Sequence, residues 1–147
     1  MGSSILLDNG LRQFVDVLRQ SKMESPTPGG AVYVASEGKL FFVFVVQFWN
    51  TSDKPIAISF PSHLRLQTPI GSIEMPTQWG YLTELSEPYS ILSIGQWFYG
   101  TLAPGQHLDG FAVIEAVNLL GTYYVIDDSG STGRMVWGFV HDGLSHN

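Results

Sequence analysis

The stretch 40–49, Leu-Phe-Phe-Val-Phe-Val-Val-Gln-Phe-Trp, limits the architecture more than any other part of the chain. A run of aromatic and β-branched residues with no Gly, no Pro and one polar side chain reads as a strand. Alternation puts Leu40, Phe42, Phe44, Val46 and Phe48 on one face. Phe41, Val43, Val45 and Trp49 take the other, with Gln47 among them. An antiparallel sheet usually has one apolar and one wetted face. Both faces of this strand need cover, and two covers are available: a helix laid on the outer side, or a second subunit.

One stretch has helical spacing. Leu11, Phe14, Val15 and Leu18 recur at i, i+3, i+4 and i+7, which predicts an amphipathic helix over 11–22 with Arg12, Gln13, Asp16, Arg19 and Gln20 on its polar side. Asp8 or Asn9 would cap it, and Ser25-Pro26-Thr27-Pro28-Gly29-Gly30 would stop it. Short β-rich runs follow, separated by turn residues, at 31–36, 40–49, 56–60, 63–67, 72–75, 96–102, 110–117, 122–127 and 135–141. Between them, residues 76–95 are broken by Pro76, Gly80, Pro88 and Gly95 and read as a long aromatic-rich connection with room for one helical turn. Seven to nine strands at this spacing predict a mostly β, antiparallel sandwich or barrel with one N-terminal amphipathic helix. The expected organisation is a single domain over 1–147: helix and Pro/Gly linker at 1–30, sandwich at 31–141 and a tail at 142–147.

Composition closes off several chemistries. The chain has no cysteine, so disulfides, thiolate catalysis and zinc–thiolate sites are excluded. Its seven Lys and Arg are outnumbered by thirteen Asp and Glu and form no stripe, which argues against nucleic acid as a ligand. No apolar run approaches the roughly 18 residues of a membrane-spanning helix, so no membrane insertion is expected. Asp127-Asp128-Ser129-Gly130 lacks the spaced ligands of a calcium loop and reads as a hairpin turn. His63, His107, His141 and His146 have no shared metal spacing beyond His141 and His146 near the end of the chain. Glu84 and Glu87 could be paired acids of a glycan-processing cleft, but two acids three apart in a loop are usually solvated. No catalytic, cofactor-binding or metal-binding residue is therefore assigned, and no cofactor is expected.

The remaining candidates are aromatic. Trp79, Tyr81, Tyr89, Trp97 and Tyr99 could stack sugars, anchor a protein interface or plug one end of the sandwich. Asn50-Thr51-Ser52 matches the glycosylation acceptor pattern.

Two stretches carry a resemblance. One is Phe48-Trp49-Asn50-Thr51-Ser52-Asp53-Lys54-Pro55-Ile56, a hydrophobic strand ending in Asn before a Ser-Asp-Lys-Pro turn. The other is Leu102-Ala103-Pro104-Gly105-Gln106 followed by Gly110-Phe111-Ala112-Val113-Ile114. Together residues 40–117 resemble the immunoglobulin-like sandwich domains of bacterial and archaeal secreted proteins and lipoproteins, most of them without assigned function. The 50–60 stretch also looks like the bacterial intracellular proteinase inhibitor family.

Function follows from surface. Only 14% of residues are charged, against roughly 25% in ordinary soluble domains. The runs at 97–99, 123–126 and 135–137 are apolar on both faces, as 40–49 is. The leading expectation is a non-catalytic module with a structural, assembly or binding role, with a protein partner and self-association into a homo-oligomer, in an extracytoplasmic or virion setting such as capsid decoration. Inhibition of a proteinase is one alternative. Binding or processing glycans through the 76–99 region is another.

Overall fold

The computed structural model describes residues 3–7, 10–24, 32–60, 64–82, 98–127 and 135–142. All regular elements among them are strands: β1 (Ser3–Leu6), β2 (Leu11–Gln20), β3 (Lys22–Glu24), β4 (Val32–Val34), β5 (Lys39–Asn50), β6 (Ile56–Phe60), β7 (Leu64–Gln67), β8 (Ile73–Glu74), β9 (Gln78–Leu82), β10 (Phe98–Leu102), β11 (His107–Val117), β12 (Gly121–Asp127) and β13 (Met135–His141). They form an antiparallel five-stranded sheet, β1-β2-β5-β11-β9, and a four-stranded sheet, β13-β12-β7-β8. Two small ribbons, β6 with β10 and β3 with β4, complete the set.

The long apolar strand takes the middle of the larger sheet. β5 pairs with β11 from Lys39↔Val117 to Trp49↔His107, and with β2 from Phe41↔Gln20 to Asn50↔Leu11. Its inner residues Leu40, Phe42, Phe44, Val46 and Phe48 are buried against Leu64, Leu66, Tyr123, Val125 and Met135 of the four-stranded sheet. Ile56, Ile58 and Leu102 carry the same core into the β6–β10 ribbon. Each large side chain buried this way contributes about 1.5–3 kcal/mol.

The helix expected over 11–22 is not formed: residues 11–20 are strand β2, and 22–24 are β3. Leu11, Val15 and Val17 lie in the core at alternate positions. Gln13 and Arg19 occupy the same register face, opposite Phe48 and Phe42. Those two polar residues break the period-two pattern in the sequence, while half-buried Phe14 and Leu18 on the outer face complete a false period of 3.6. Pairing along ten residues of β5 outweighs the local pattern. The N-terminal segment thus belongs to the sheet, and no helix covers the outer face of β5 among the described residues. There Phe41, Phe111 and Val113 make a second small cluster with Ala35 and Val43, while Trp49 is exposed. Ala35 is held by its N–H donating to the Ser21 carbonyl at 2.9 Å. Ser36 N–H donates to Glu115 Oε1 at 2.9 Å, and this bond holds the Glu115 carboxyl below its ordinary pKa. Residues 78–82, read as part of a connection, form strand β9 beside β11.

The chain crosses from one sheet to the other between β11 and β12, and one side chain fixes that corner. Tyr123 is fully buried, stacked on Phe139 at 5.5 Å and tilted against Phe42 at 4.9 Å. Its hydroxyl accepts from Leu119 N–H at 3.0 Å and donates to the Val117 carbonyl at 2.5 Å. Burial raises the pKa of this phenol above 10.0, and the Leu119 bond opposes that only in part. A raised folded-state pKa means the contribution to stability is complete below about pH 10, the ordinary tyrosine range, and is lost as pH climbs through the folded value. Tyr123→Phe should lower neutral-pH stability by about 1–2 kcal/mol and flatten the alkaline decline, as read from urea unfolding at stepped pH. An unchanged alkaline slope in that variant would mean another group carries it.

Candidate functional site

Strand alternation brings several polar residues into the sandwich interior, and they join the two sheets. Gln13 Nε2 of β2 donates to Asp127 Oδ2 of β12, both side chains fully buried. At the opposite end of β2, an Arg19 guanidinium nitrogen lies 3.2 Å from His141 Nδ1 and 4.0 Å from Asp142 Oδ1. His141 Nε2 lies 2.6 Å from Asn118 Oδ1. The Asn118 oxygen can only accept, so His141 donates to it from Nε2. These contacts replace water for groups that burial has stripped of it. On the outer face of the five-stranded sheet, Asp109 accepts from Gln47 Nε2 at 2.7 Å, and His107 Nδ1 lies 3.4 Å from its other oxygen. The His107/Asp109 spacing of two on one strand was the available sequence signal for this pair. Among the described residues no group of three or more His, Cys, Asp or Glu is placed to hold a metal ion.

The Asn50 side chain makes four hydrogen bonds. Its Nδ2 donates to the Lys54 carbonyl at 2.7 Å and to the Leu102 carbonyl at 2.8 Å. Its Oδ1 accepts from Ser52 N–H at 2.9 Å and from Ser52 Oγ at 2.7 Å. Its backbone reaches the 103–106 turn, where Gly105 N–H donates to the Asn50 carbonyl at 2.8 Å and Asn50 N–H to the Gln106 carbonyl at 3.0 Å. Gly105, with φ of 82°, takes the left-handed position that a Pro-Gly turn needs. Gly10 closes the assembly from the other side: its φ is 87°, and a Cβ there would stand 2.7 Å from the Ser52 Cβ. The two turn motifs singled out in the sequence are therefore one joint.

Of the five aromatic candidates, Trp79 and Tyr81 fall in β9 at register positions opposite Ala112 and Gly110. Tyr99 falls in β10 opposite Ser59, in the separate ribbon. Tyr89 and Trp97 lie outside the described residues, as do Glu84, Glu87, Asp128, His63 and His146. The described members sit on two elements that are not hydrogen-bonded neighbours.

A different apolar surface is open. On the outer side of the four-stranded sheet, Tyr124 of β12 pairs with Gly138 of β13, between Thr122↔Val140 and Ile126↔Val136. Val140 is 73% exposed, Val136 51% and Tyr124 43%, and Ile73 on β8 is 48% exposed. None of the outward positions of β12 and β13 carries a charge. Its sequence signal was the two-faced apolar character of the runs at 123–126 and 135–137.

No family model matches the chain, and no curated protein does. Among solved structures it is similar to an uncharacterised β-sandwich protein from Clostridium difficile 630. The TM-score is 0.51 over 94% of this chain and 90% of that one, at 11% sequence identity. The fold is a β-sandwich. Identity this low speaks for the fold alone.

The Asn50 joint yields a direct expectation. With both amide hydrogens committed to the Lys54 and Leu102 carbonyls, the folded chain offers no free amide to a glycosylating enzyme, whatever the Asn-Thr-Ser pattern suggests. Folded protein incubated with such an enzyme should keep its unmodified mass. Asn50→Ala should cost about 1–3 kcal/mol by leaving the buried Leu102 carbonyl without its side-chain donor, measurable as a shift in the unfolding midpoint.

Proposed function

We propose that the chain is a non-catalytic, immunoglobulin-like sandwich that works as an assembly module, seating a protein partner at the β12–β13 margin of its four-stranded sheet. The immunoglobulin-like part of this reading is supported by strand order. β2-β5-β11-β9 facing β13-β12-β7 matches the constant-type arrangement A-B-E-D against G-F-C, with β1 and β8 as two added edge strands. It is supported again by Tyr123, which stands early in the strand corresponding to F and ties back to residues 117 and 119, as the corner tyrosine of those domains does.

The observation that carries the assembly role is the uncharged outer face of β12 and β13, where Tyr124, Val136 and Val140 are exposed. Exposed apolar side chains grouped in this way mark an interaction site. Lysine at its most exposed position should abolish binding there without disturbing the core. The wild type is expected to sediment as an oligomer at micromolar concentration, and Val140→Lys as a folded monomer with an unchanged far-ultraviolet circular dichroism spectrum. A wild type that stays monomeric up to millimolar concentration would overturn the proposal.

A further inference from the structure

Strand β13 reads Met135-Val136-Trp137-Gly138-Phe139-Val140-His141. About Gly138 it is nearly palindromic: Val136 matches Val140, and Trp137 matches Phe139. β13 is also the outermost strand of its sheet, with β12 its one ladder neighbour among the described residues. An edge strand is a template for pairing with another chain, and soluble proteins usually guard it with Lys, Pro, a bulge or a short length. β13 has seven residues and no Lys, Arg, Asp, Glu or Pro, and the register it keeps with β12 is uninterrupted from Gly121↔His141 to Asp127↔Met135.

From these features we propose that β13 pairs antiparallel with β13 of a second copy of this chain, about a two-fold axis at Gly138, joining two four-stranded sheets into one of eight. The inference rests on the assembly reading above and names its partner and register. In this pairing Val136 of each copy faces Val140 of the other, Trp137 faces Phe139, and Gly138 faces Gly138. A two-fold contact must be self-complementary, and a palindromic strand is self-complementary at every pair. The net charge of −6 would repel a second copy at most surfaces, but this edge brings no acidic side chain of β13 to the axis. Gly138 suits the centre for a second reason: the Tyr124 ring already lies over it, 3.1 Å from where a Cβ would be. Two tyrosines, one from each copy, would therefore flank the axis on the outer face, beside the facing valines.

The chain lacks cysteine, so introduced thiols report the register without background. The test uses the double variant Val136→Cys with Val140→Cys and the two single variants, each at an exposed position, under mild copper-catalysed air oxidation. The double variant should form a reducible dimer in high yield, because the thiol introduced at position 136 of each copy faces the thiol introduced at position 140 of the other. In either single variant the like positions are about 14 Å apart, at roughly 3.4 Å per residue, and should link poorly. If sedimentation shows a dimer that Val140→Lys dissolves, but the double variant links no better than the singles, this strand pairing is wrong while the assembly reading stands. If no variant links and the wild type is monomeric, both fall.

Discussion

A strand that is apolar on both faces can be satisfied only in the interior of a sheet that is itself covered, and the arrangement of this chain follows from that requirement. β5 lies third of five strands, with β2 and β11 shielding its two edges. The four-stranded sheet buries Phe42, Phe44 and Phe48 from below. Above, cover is partial among the described residues: Phe41 is buried with Phe111 and Val113, while Trp49 at the far end remains open. The β2–β5 and β5–β11 ladders run for ten and eleven residue pairs, which makes the larger sheet the stiff half of the sandwich.

Apolar packing alone would leave the two sheets free to slide, since dispersion and burial have no strong direction. Direction comes from the polar groups set into the interior. Gln13 on Asp127 fixes one end of β2 to the opposite sheet, and Arg19 on His141 fixes the other. Tyr123 sets the length of the corner between β11 and β12. Each is a group whose burial would be costly alone and becomes tolerable with its partner, so a shifted register would lose several such pairs together.

These same groups explain how far the fold could be read from the sequence. Strands β5, β6, β7, β10, β11, β12 and β13 were legible because their apolar runs are bounded by turn residues such as 50–55 and 103–106. β2 was not, because Gln13 and Arg19 look like solvent-facing residues until their partners from β12 and β13 are in place. Those partners lie 114 and 122 residues away in the chain, and no local pattern reports them. β9 was hidden by Gly80, which reads as a breaker although β11 supplies its pairing at Phe111. The exposed apolar surface was half legible: the runs at 123–126 and 135–137 are apolar on both faces, yet only the sheet order shows that β13 is outermost. Trp79, Tyr81 and Tyr99 drew attention as a group because they are near in sequence, and strand pairing puts the first two on β9 and Tyr99 on β10.

The Asn50 joint also records the history of each molecule. Deamidation begins when the following backbone nitrogen attacks the side-chain carbonyl carbon. In the folded chain that nitrogen, on Thr51, is held by the Gly10 carbonyl at 2.9 Å, and the amide is pinned at both ends. In an unfolded chain neither restraint exists. Conversion to aspartate would replace the donating nitrogen with an acceptor-only oxygen facing the Leu102 and Lys54 carbonyls, where it could form no bond and would repel both. A chain that ages at this position while unfolded therefore loses the means to close β5 onto β6 and β10, and time spent outside the native state becomes an irreversible chemical mark.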